Sequence, residues 1–237
     1  MKLQAFLLLL LAPLILRAQE VEENAPLALY ISSGTNFTKV HETQYFSAFT
    51  SDGDKNYNPN QGFQLAAGVL LPITKKLSVG LGGKYSQESY SASSGDAPFI
   101  SYLEETLNFI SIPVKLHIAP FDSKLRPYAE FGMNYSRLLK SKMTGTRIGG
   151  TALAVKDMNI ADQRTPNSFS LSFGVGVGYT FSNGSLFIVG NYFKGLTEMV
   201  IAEKRYSNSE IVGDLQYVDS DFKLDGFEIS VGYAFNL

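Results

Sequence analysis

The sequence predicts an all-β fold: an eight-stranded antiparallel up-and-down transmembrane β-barrel, with short turns at one end and four long loops at the other. Three observations support this prediction. One long stretch alternates apolar with small residues, six of the seven other predicted strands repeat the alternation, and the connections between the strands alternate in length. Alternation with a period of two is typical of a strand whose two faces meet different surroundings.

The clearest strand runs from Phe169 to Phe181. Its odd-numbered positions are all apolar or aromatic, whereas the interleaved positions hold Ser, Gly or Thr. At about 3.3 Å per residue and a tilt of about 40°, it rises roughly 30 Å, which is enough to cross the hydrocarbon layer of a bilayer. A water-facing row would carry charges, whereas small residues suit a crowded barrel interior. We therefore predict that the apolar face contacts lipid.

The first four predicted strands occupy residues 27–37, 62–71, 77–85 and 107–118. The connections between them are a long loop at 38–61, a short turn at 72–76 and a long loop at 87–105. Pro113 lies inside the fourth strand, and proline cannot donate a hydrogen bond to the ladder. We therefore expect a β-bulge at Pro113.

The remaining strands occupy residues 125–139, 169–181, 186–193 and 226–237, separated by a loop at 140–167, a turn at 182–185 and a loop at 198–223. The seventh strand is apolar on both phases, so the pattern does not assign its faces. The stretches 199–206 and 211–218 in the last loop are candidates for extending the sheet beyond the membrane. Alternating connection lengths are typical of a membrane barrel with periplasmic turns and extracellular loops, and both chain ends are then periplasmic.

The chain opens with Lys2 and an apolar run from Ala5 to Leu16, followed by Ala18. This pattern predicts a secretory signal peptide over residues 1–18, a short periplasmic segment over 19–26 and a barrel over 27–237. The formal charge of −2 gives no field that would favour nucleic acid. The chain has no Cys and no Trp, so disulfides are excluded and any aromatic belt must consist of Tyr and Phe.

The stretches LNFISIPVKLHI (107–118) and LRPYAEFGMNYSRLL (125–139) resemble the outer-membrane β-barrel domain family of Bacteroidota, which includes PorT-like proteins. The resemblance implies a location in the outer membrane of a Gram-negative bacterium. The chain end also resembles the signal by which the barrel-assembly machinery recognises such proteins. The residues of this signal are Ile229, Val231, Tyr233, Phe235 and Leu237. Leu237 departs from the pattern, because an aromatic residue is commonest at that position.

Strand phase places five polar side chains inside the barrel: Lys84, Lys115, His117, Glu130 and Glu228. We interpret the charged residues as a structural ion network, with a gated conduction path as the alternative. With Tyr128, they are expected to fill the narrow lumen. His117 is interpreted as a satisfied interior histidine rather than part of a lipid-modifying triad. The sequence contains no nucleophile-elbow, phosphate-loop or clustered metal-ligand motif, so no catalytic residue, cofactor or metal is predicted.

The predicted loops carry many aromatic residues, among them Tyr45, Tyr57, Tyr90, Tyr102 and Tyr206. These side chains could bind a ligand or pack the loops. The sequence thus predicts a non-enzymatic barrel that acts through its extracellular loops as a binding, structural or secretion-associated protein. Its expected partners are outer-membrane lipid, the assembly machinery and an extracellular ligand or secretion-system proteins. A lipid-modifying enzyme and a narrow channel are the two alternatives.

Overall fold

A computed structural model describes residues 27–46, 55–95, 99–149 and 153–237. The predicted signal peptide and the segment 19–26 lie outside these ranges. Within them, no helix has the length and apolar character needed to cross a membrane.

Nine strands form one antiparallel sheet: β1 Ala28–Gln44, β2 Asn56–Thr74, β3 Leu77–Ser94, β4 Ile100–Ile118, β5 Leu125–Ile148, β6 Leu153–Asn159, β7 Asn167–Phe181, β8 Gly184–Gly195 and β9 Asp221–Asn236. Eight of them close a ring in the order β1-β2-β3-β4-β5-β7-β8-β9, because β9 pairs with β1 and β4 pairs with β5. The predicted eight-stranded barrel is confirmed. The ninth strand, β6, pairs only with the upper part of β5.

The predicted alternation of faces is present along the membrane-spanning part of each strand. On β7, Phe173 and Val175 are more than half exposed on the outer surface, whereas Ser172 is buried inside. The structure also assigns the two faces of β8, which the sequence pattern left open. It directs Leu186, Ile188 and Tyr192 outward and buries Val189, Asn191 and Phe193.

Three of the four long loops predicted from the sequence are largely strand, so those predictions are wrong in extent. β1 continues to Gln44, β3 to Ser94 and β5 to Ile148. The reason is that the pattern inverts beyond the lipid. In that region Glu104 and Thr106 face outward, whereas Leu103 and Leu107 are buried inside. Strands that leave the membrane meet water outside and enclose a protein core inside.

The expected bulge at Pro113 is also wrong. Val114 pairs with Leu81 and Ser111 pairs with Lys84, so the β3–β4 register passes Pro113 unchanged. The two glycines between Leu81 and Lys84 have no ladder partner on β4. The backbone N–H that Pro113 lacks is therefore not needed, because no ladder hydrogen bond is made to β3 at that point. The irregularity of β4 lies instead beside Asn108 and Phe109, where the β4–β5 register shifts.

Two connections fold back over the extracellular end and form what we call the cap, residues 160–166 and 196–220. The cap contains short 3-10 turns at Ala161–Gln163 and Ala202–Lys204 and one π turn at Glu210–Asp214. The stretches 199–206 and 211–218 therefore do not extend the sheet as strands, apart from an isolated bridge between Val200 and Arg164.

The cap buries two apolar clusters inside the upper barrel. One contains Leu107, Phe109, Met199, Val200 and Phe222, among others. The other joins Leu103, Met143 and Val155 of the strands to Ile211, Leu215 and Tyr217 of the cap. The upper lumen is thus filled by a core that the sequence pattern did not predict.

Candidate functional site

Two ion pairs lie in the interior of the membrane-spanning barrel. Lys84 Nζ lies 2.6 Å from Glu228 Oε1, and Lys115 Nζ lies 2.8 Å from Glu130 Oε2. The first pair joins β3 to β9, which are not neighbours in the ring, so it spans the lumen. The second pair joins the adjacent strands β4 and β5. The structure thus brings the four charged residues of the predicted network together as two separate pairs.

Glu228 also has neutral neighbours. The Gln64 amide nitrogen lies 3.1 Å from both Glu228 carboxylate oxygens when its oxygen accepts from Ser230 Oγ at 2.7 Å. A buried carboxylate costs free energy unless it is paired and hydrogen-bonded. Lys84, Gln64 and Ser230 together provide that compensation.

His117 lies beside the second of these pairs, because it is directly opposite Glu130 in the β4–β5 register. Its ring is 4.3 Å from the ring of Tyr128, at an angle of 38°. Tyr128 itself is buried and lies against β7 at Gly176, where an added Cβ would approach the phenol ring within 2.5 Å. The glycine therefore makes room for the tyrosine. In the described part of the chain, His117 has no hydroxyl partner of the kind that a catalytic triad requires.

The periplasmic half of the lumen is not filled, contrary to expectation. A cavity of about 430 Å³ extends from the turns at Thr74–Lys76 and Asp122 up to Lys84 and Glu228. The space exists because many inward positions there are small, among them Ala28, Ala66, Ser78, Gly80 and Ala234. The predicted network lines this cavity instead of closing the lumen.

The upper lumen holds a buried ion cluster that sequence reasoning missed. Arg164 donates from Nε to Glu105 Oε1 at 2.8 Å and from Nη2 to Glu105 Oε2 at 2.6 Å. Its Nη1 donates to Asp219 Oδ2 at 2.8 Å. The Arg164 and Glu105 side chains are completely buried. This cluster ties β4 to both segments of the cap.

The surroundings of Glu105 favour its charged form. Burial alone would raise the pKa of this carboxyl, but the Arg164 charge and the hydrogen bonds from Arg164 and Ser141 outweigh burial and lower it. Ser141 Oγ donates to Glu105 at 2.6 Å, and the Tyr90 hydroxyl donates to the same carboxylate. Every bond holds Glu105 as an acceptor, which is the role of an ionised carboxylate.

A second arginine, Arg205, is buried and ties the cap to the start of β9. It donates from Nη1 to the Asp219 carbonyl at 3.0 Å and from Nη2 to Asp221. Its guanidinium also stacks on the Phe46 ring at 3.4 Å.

The sequence signal for the cap was present in the apolar content of the predicted loops, since a solvated loop does not carry residues such as Met199, Leu215 and Val218.

The loop aromatics divide into two groups. Tyr57 and Tyr90 lie on strands and pack against the cap core, so for them loop packing is the correct interpretation. Tyr45, Tyr102 and Tyr206 are exposed at the extracellular end. Tyr102 and Ile148 share the outer face at the extracellular end of β4 and β5, because Ile100 pairs with Ile148 and Tyr102 pairs with Thr146. Arg147, on the other face of β5, stacks on Phe99 at 5.5 Å. Tyr102 and Ile148 form an exposed apolar patch outside the lipid.

The five residues of the predicted insertion signal lie on β9 or, for Leu237, directly after it. Ile229, Val231, Phe235 and Leu237 are exposed on the lipid-facing side. Tyr233 packs edge-on against Phe235, with ring centroids 4.6 Å apart. Among the described residues, no group of three His, Cys, Asp or Glu side chains could hold a metal ion.

Comparison with known proteins gives one family match. The model for "Outer membrane protein beta-barrel domain" matches residues 6–235. Comparison with curated protein sequences gives no match.

Three solved structures illustrate the fold likeness. Neisserial surface protein A is 15% identical, with 89% of this chain and 99% of that chain covered and a TM-score of 0.43. Ail, the attachment invasion locus protein of Yersinia pestis, is 16% identical, with 89% and 100% covered and a TM-score of 0.39. The outer membrane protease OmpT from Escherichia coli is 12% identical, with 91% and 98% covered and a TM-score of 0.43. Fold likeness does not of itself specify function.

Proposed function

Because this chain belongs to the outer membrane protein beta-barrel domain family, we propose that it is a non-enzymatic binding or secretion-associated component that acts through its extracellular end. The protein resides in the outer membrane of a Gram-negative bacterium. The finer assignment, a PorT-like protein of Bacteroidota, belongs to this proposal and rests on the sequence resemblance described above.

The single observation that carries the proposal is the closed upper lumen. The Arg164 cluster and the two apolar clusters occupy the barrel where a conduction path would have to pass. A channel would need an aqueous path, whereas a buried core with a bidentate ion pair between Arg164 and Glu105 favours a rigid platform. Binding residues are typically displayed on connections that such a scaffold holds in place.

The exposed patch at Tyr102 and Ile148 is the surface on which we place the contact. Exposed tyrosine side chains are enriched at protein interfaces. The patch lies on paired strands and not on an isolated loop, so its side chains are held in fixed positions. We propose that a protein partner, such as a component of a secretion system, contacts it.

The enzyme alternative has less support. His117 contacts an aromatic ring, and the described residues give it no nucleophile or acid at hydrogen-bond distance. In the upper barrel, the carboxylate oxygens of Glu105 are engaged by Arg164, Ser141 and Tyr90. Neither residue is arranged to transfer a proton to a substrate.

The test uses a deletion strain complemented with variants, with the proteins released into the medium as the readout. Tyr102→Ser combined with Ile148→Ser should fail to restore secretion, because the apolar contact is lost. The matched control, Thr144→Ser combined with Thr146→Ser on the same hairpin, should restore it. Both proteins should keep the heat-modifiable gel mobility of a folded barrel.

Three results would contradict the proposal. Unchanged secretion in the deletion strain removes the secretion role. Single-channel conductance of the purified barrel in a planar bilayer supports the channel. A change in membrane lipid composition that depends on His117 supports the enzyme.

A further inference from the structure

We propose that the outer face of β5 and β6, just beyond the hydrocarbon layer, binds a phosphate group of lipid A in the outer leaflet. Four side chains form this surface, which we call the basic face: Arg137, Lys140, Lys142 and Lys156. The site is separate from the patch at Tyr102 and Ile148 and does not rest on the protein contact proposed there. It rests on the location of the barrel in the outer membrane, whose outer leaflet presents phosphorylated lipid A.

The lipid-facing surface of β5 ends at Tyr135. The ring of this tyrosine lies 5.2 Å from the ring of Phe169 on β7, and its hydroxyl donates to Asn167 Oδ1 at 2.9 Å. A tyrosine with a packed ring and a bonded hydroxyl is typical of the boundary between membrane and water. Arg137 is the next outward residue on β5 and is exposed. Its guanidinium therefore begins the basic face at the level of the lipid headgroups.

A β-bulge brings the cations of β5 onto one face. Arg137 pairs with Ile110 and Lys140 pairs with Asn108, so β5 has one residue more than β4 in this interval. In a regular strand, positions 137 and 140 would point to opposite faces. The extra residue returns Lys140 to the outer face, and Lys142 follows roughly 7 Å further along the strand. The three cations thus form one row on the outer surface.

β6 adds a fourth cation and one carboxylate to this row. Lys156 is exposed beside Asp157, whose carboxylate accepts from Lys142 Nζ at 3.1 Å. This hydrogen bond lowers the pKa of the Asp157 carboxyl, and the charges of Lys156 and Lys140 lower it further. Three ammonium groups therefore lie around a single carboxylate, and positive charge is in excess there.

Most of the basic face is not occupied by partners from the chain itself. Within the described ranges, the side chains of Arg137, Lys140 and Lys156 make no ion pair and no hydrogen bond, and Lys142 makes one. Each of these cations carries several donor hydrogens. The donors are therefore available to an external anion.

Neighbouring carboxylates leave this surface positive. Glu104 on β4 lies opposite Thr144, further from the lipid than the three cations of β5. The acidic residues of the π turn belong to the cap, which packs inside the barrel. Residues 150–152, which connect β5 to β6 outside the described ranges, carry no charge. Even if Glu104 and Asp162 are counted together with Asp157, the four cations leave a net positive charge.

Another part of the same boundary shows the compensated arrangement. Lys39 on β1 and Lys194 on β8 each lie two positions beyond an exposed aromatic residue, as Arg137 does. Both lysines are directly opposite Asp225 on β9. Arg137 and Lys140 have neutral residues opposite them in the ladders. The excess of positive charge is thus a local property of β5 and β6.

The chemistry of this surface favours a phosphorylated lipid over a soluble anion. Guanidinium and ammonium groups bind phosphate oxygens by charge-assisted hydrogen bonds. Beside and below the cations lie Ile110 and Met133, which are 52% and 47% exposed on the lipid-facing side. A ligand that uses both parts of the surface has a phosphate group attached to a carrier with acyl chains, as lipid A has. A soluble phosphate would leave the apolar part without a contact.

The test is native mass spectrometry of the purified barrel in detergent, titrated with diphosphoryl lipid A or with lipid A that has lost its phosphates. The phosphorylated form should bind on the order of tenfold more tightly. Arg137→Gln combined with Lys140→Gln should remove most of this preference. The matched control, Lys39→Gln combined with Lys194→Gln, removes the same charge at the same boundary and should keep the preference. Arg137→Lys combined with Lys140→Arg should keep it as well.

Equal affinity for the two forms of lipid A, or equal losses in the two glutamine double variants, would overturn the site. Phosphatidylglycerol is the second anionic lipid, and its binding as tightly as lipid A would overturn the assignment to lipid A. Displacement of lipid A by millimolar inorganic phosphate would do the same, because the apolar contact would then contribute nothing. If the variant with Arg137→Gln lacks the heat-modifiable mobility of a folded barrel, Lys140→Gln combined with Lys156→Gln gives the same decision.

Discussion

Replacing Arg164 by Leu should open the cap while leaving the membrane barrel intact. Arg164 makes three charge-assisted hydrogen bonds to two carboxylates, and both partner side chains are at most 4% exposed. Removing one member of a buried ion pair typically costs about 3 to 5 kcal/mol, because the partner charge stays buried without compensation. Here two carboxylates lose their cation, so we expect the upper part of this range for local opening.

The assay is limited proteolysis of the protein in nanodiscs, with hydrogen exchange over residues 196–220 as the second measurement. The variant should be cut in the cap and exchange faster there, yet keep heat-modifiable mobility. Adding Glu105→Gln and Asp219→Asn should restore much of the protection, because no charge is then left buried. As the control, Lys142→Gln breaks the exposed Lys142–Asp157 pair and should change nothing measurable. Equal protection of the Arg164→Leu and Lys142→Gln variants would refute the reasoning.

Three further predictions concern the lipid face, the lumen and pH. Val175→Arg should cost about 2 to 4 kcal/mol of barrel stability, measured by denaturant unfolding in vesicles, whereas Asp162→Asn should be neutral; equal tolerance would contradict the lipid-facing assignment. Glu130→Ala should lower the free energy of unfolding by about 3 kcal/mol, because the Lys115 ammonium is left without its partner, and adding Lys115→Met should recover part of this loss. A double variant no more stable than Glu130→Ala would contradict an energetic coupling between the two residues. Because the folded-state pKa of Glu105 is lowered, its contribution to the cap is complete above the pKa of an unfolded glutamate and is lost as pH falls through the folded value. Proteolysis of the cap should thus rise in acid, and less so in Glu105→Gln.

The membrane-spanning strands were predictable because their signal is local. Lipid outside and small residues inside repeat every second position, as from Phe169 to Phe181, and the pattern needs no knowledge of partners. The strand extensions were missed because the inside and outside exchange character at the membrane boundary. In the membrane, apolar residues face outward, so by that rule the inward-facing Leu103 and Leu107 look like exceptions. Where the outer face of the sheet meets water, inward apolar residues are the ordinary core.

Lys84, Lys115, Glu130 and Glu228 line the lumen in the structure, and which of them pair could not be predicted from the sequence. Lys84 and Glu228 are separated by 144 positions and lie on strands that are not neighbours. Which cation meets which carboxylate depends on the tilt and stagger of the closed ring. The cavity was missed for a related reason, since it depends on the small inward residues of several strands taken together.

The way in which the Arg164 cluster is built sets an order of events during folding. Arg164 is 59 positions from Glu105, which lies on β4, and 55 positions from Asp219, which lies just before β9. A hairpin such as β7–β8 forms by closing a loop of a few residues, whereas the Arg164 cluster closes loops of more than fifty residues. Closing the longer loops costs more chain entropy. The cluster can gain its three bonds only after β4 and the chain just before β9 have come together at the same end of the ring. Cap closure is therefore a late step, and a chain arrested during insertion would have its strands formed with the arginine still exposed to water.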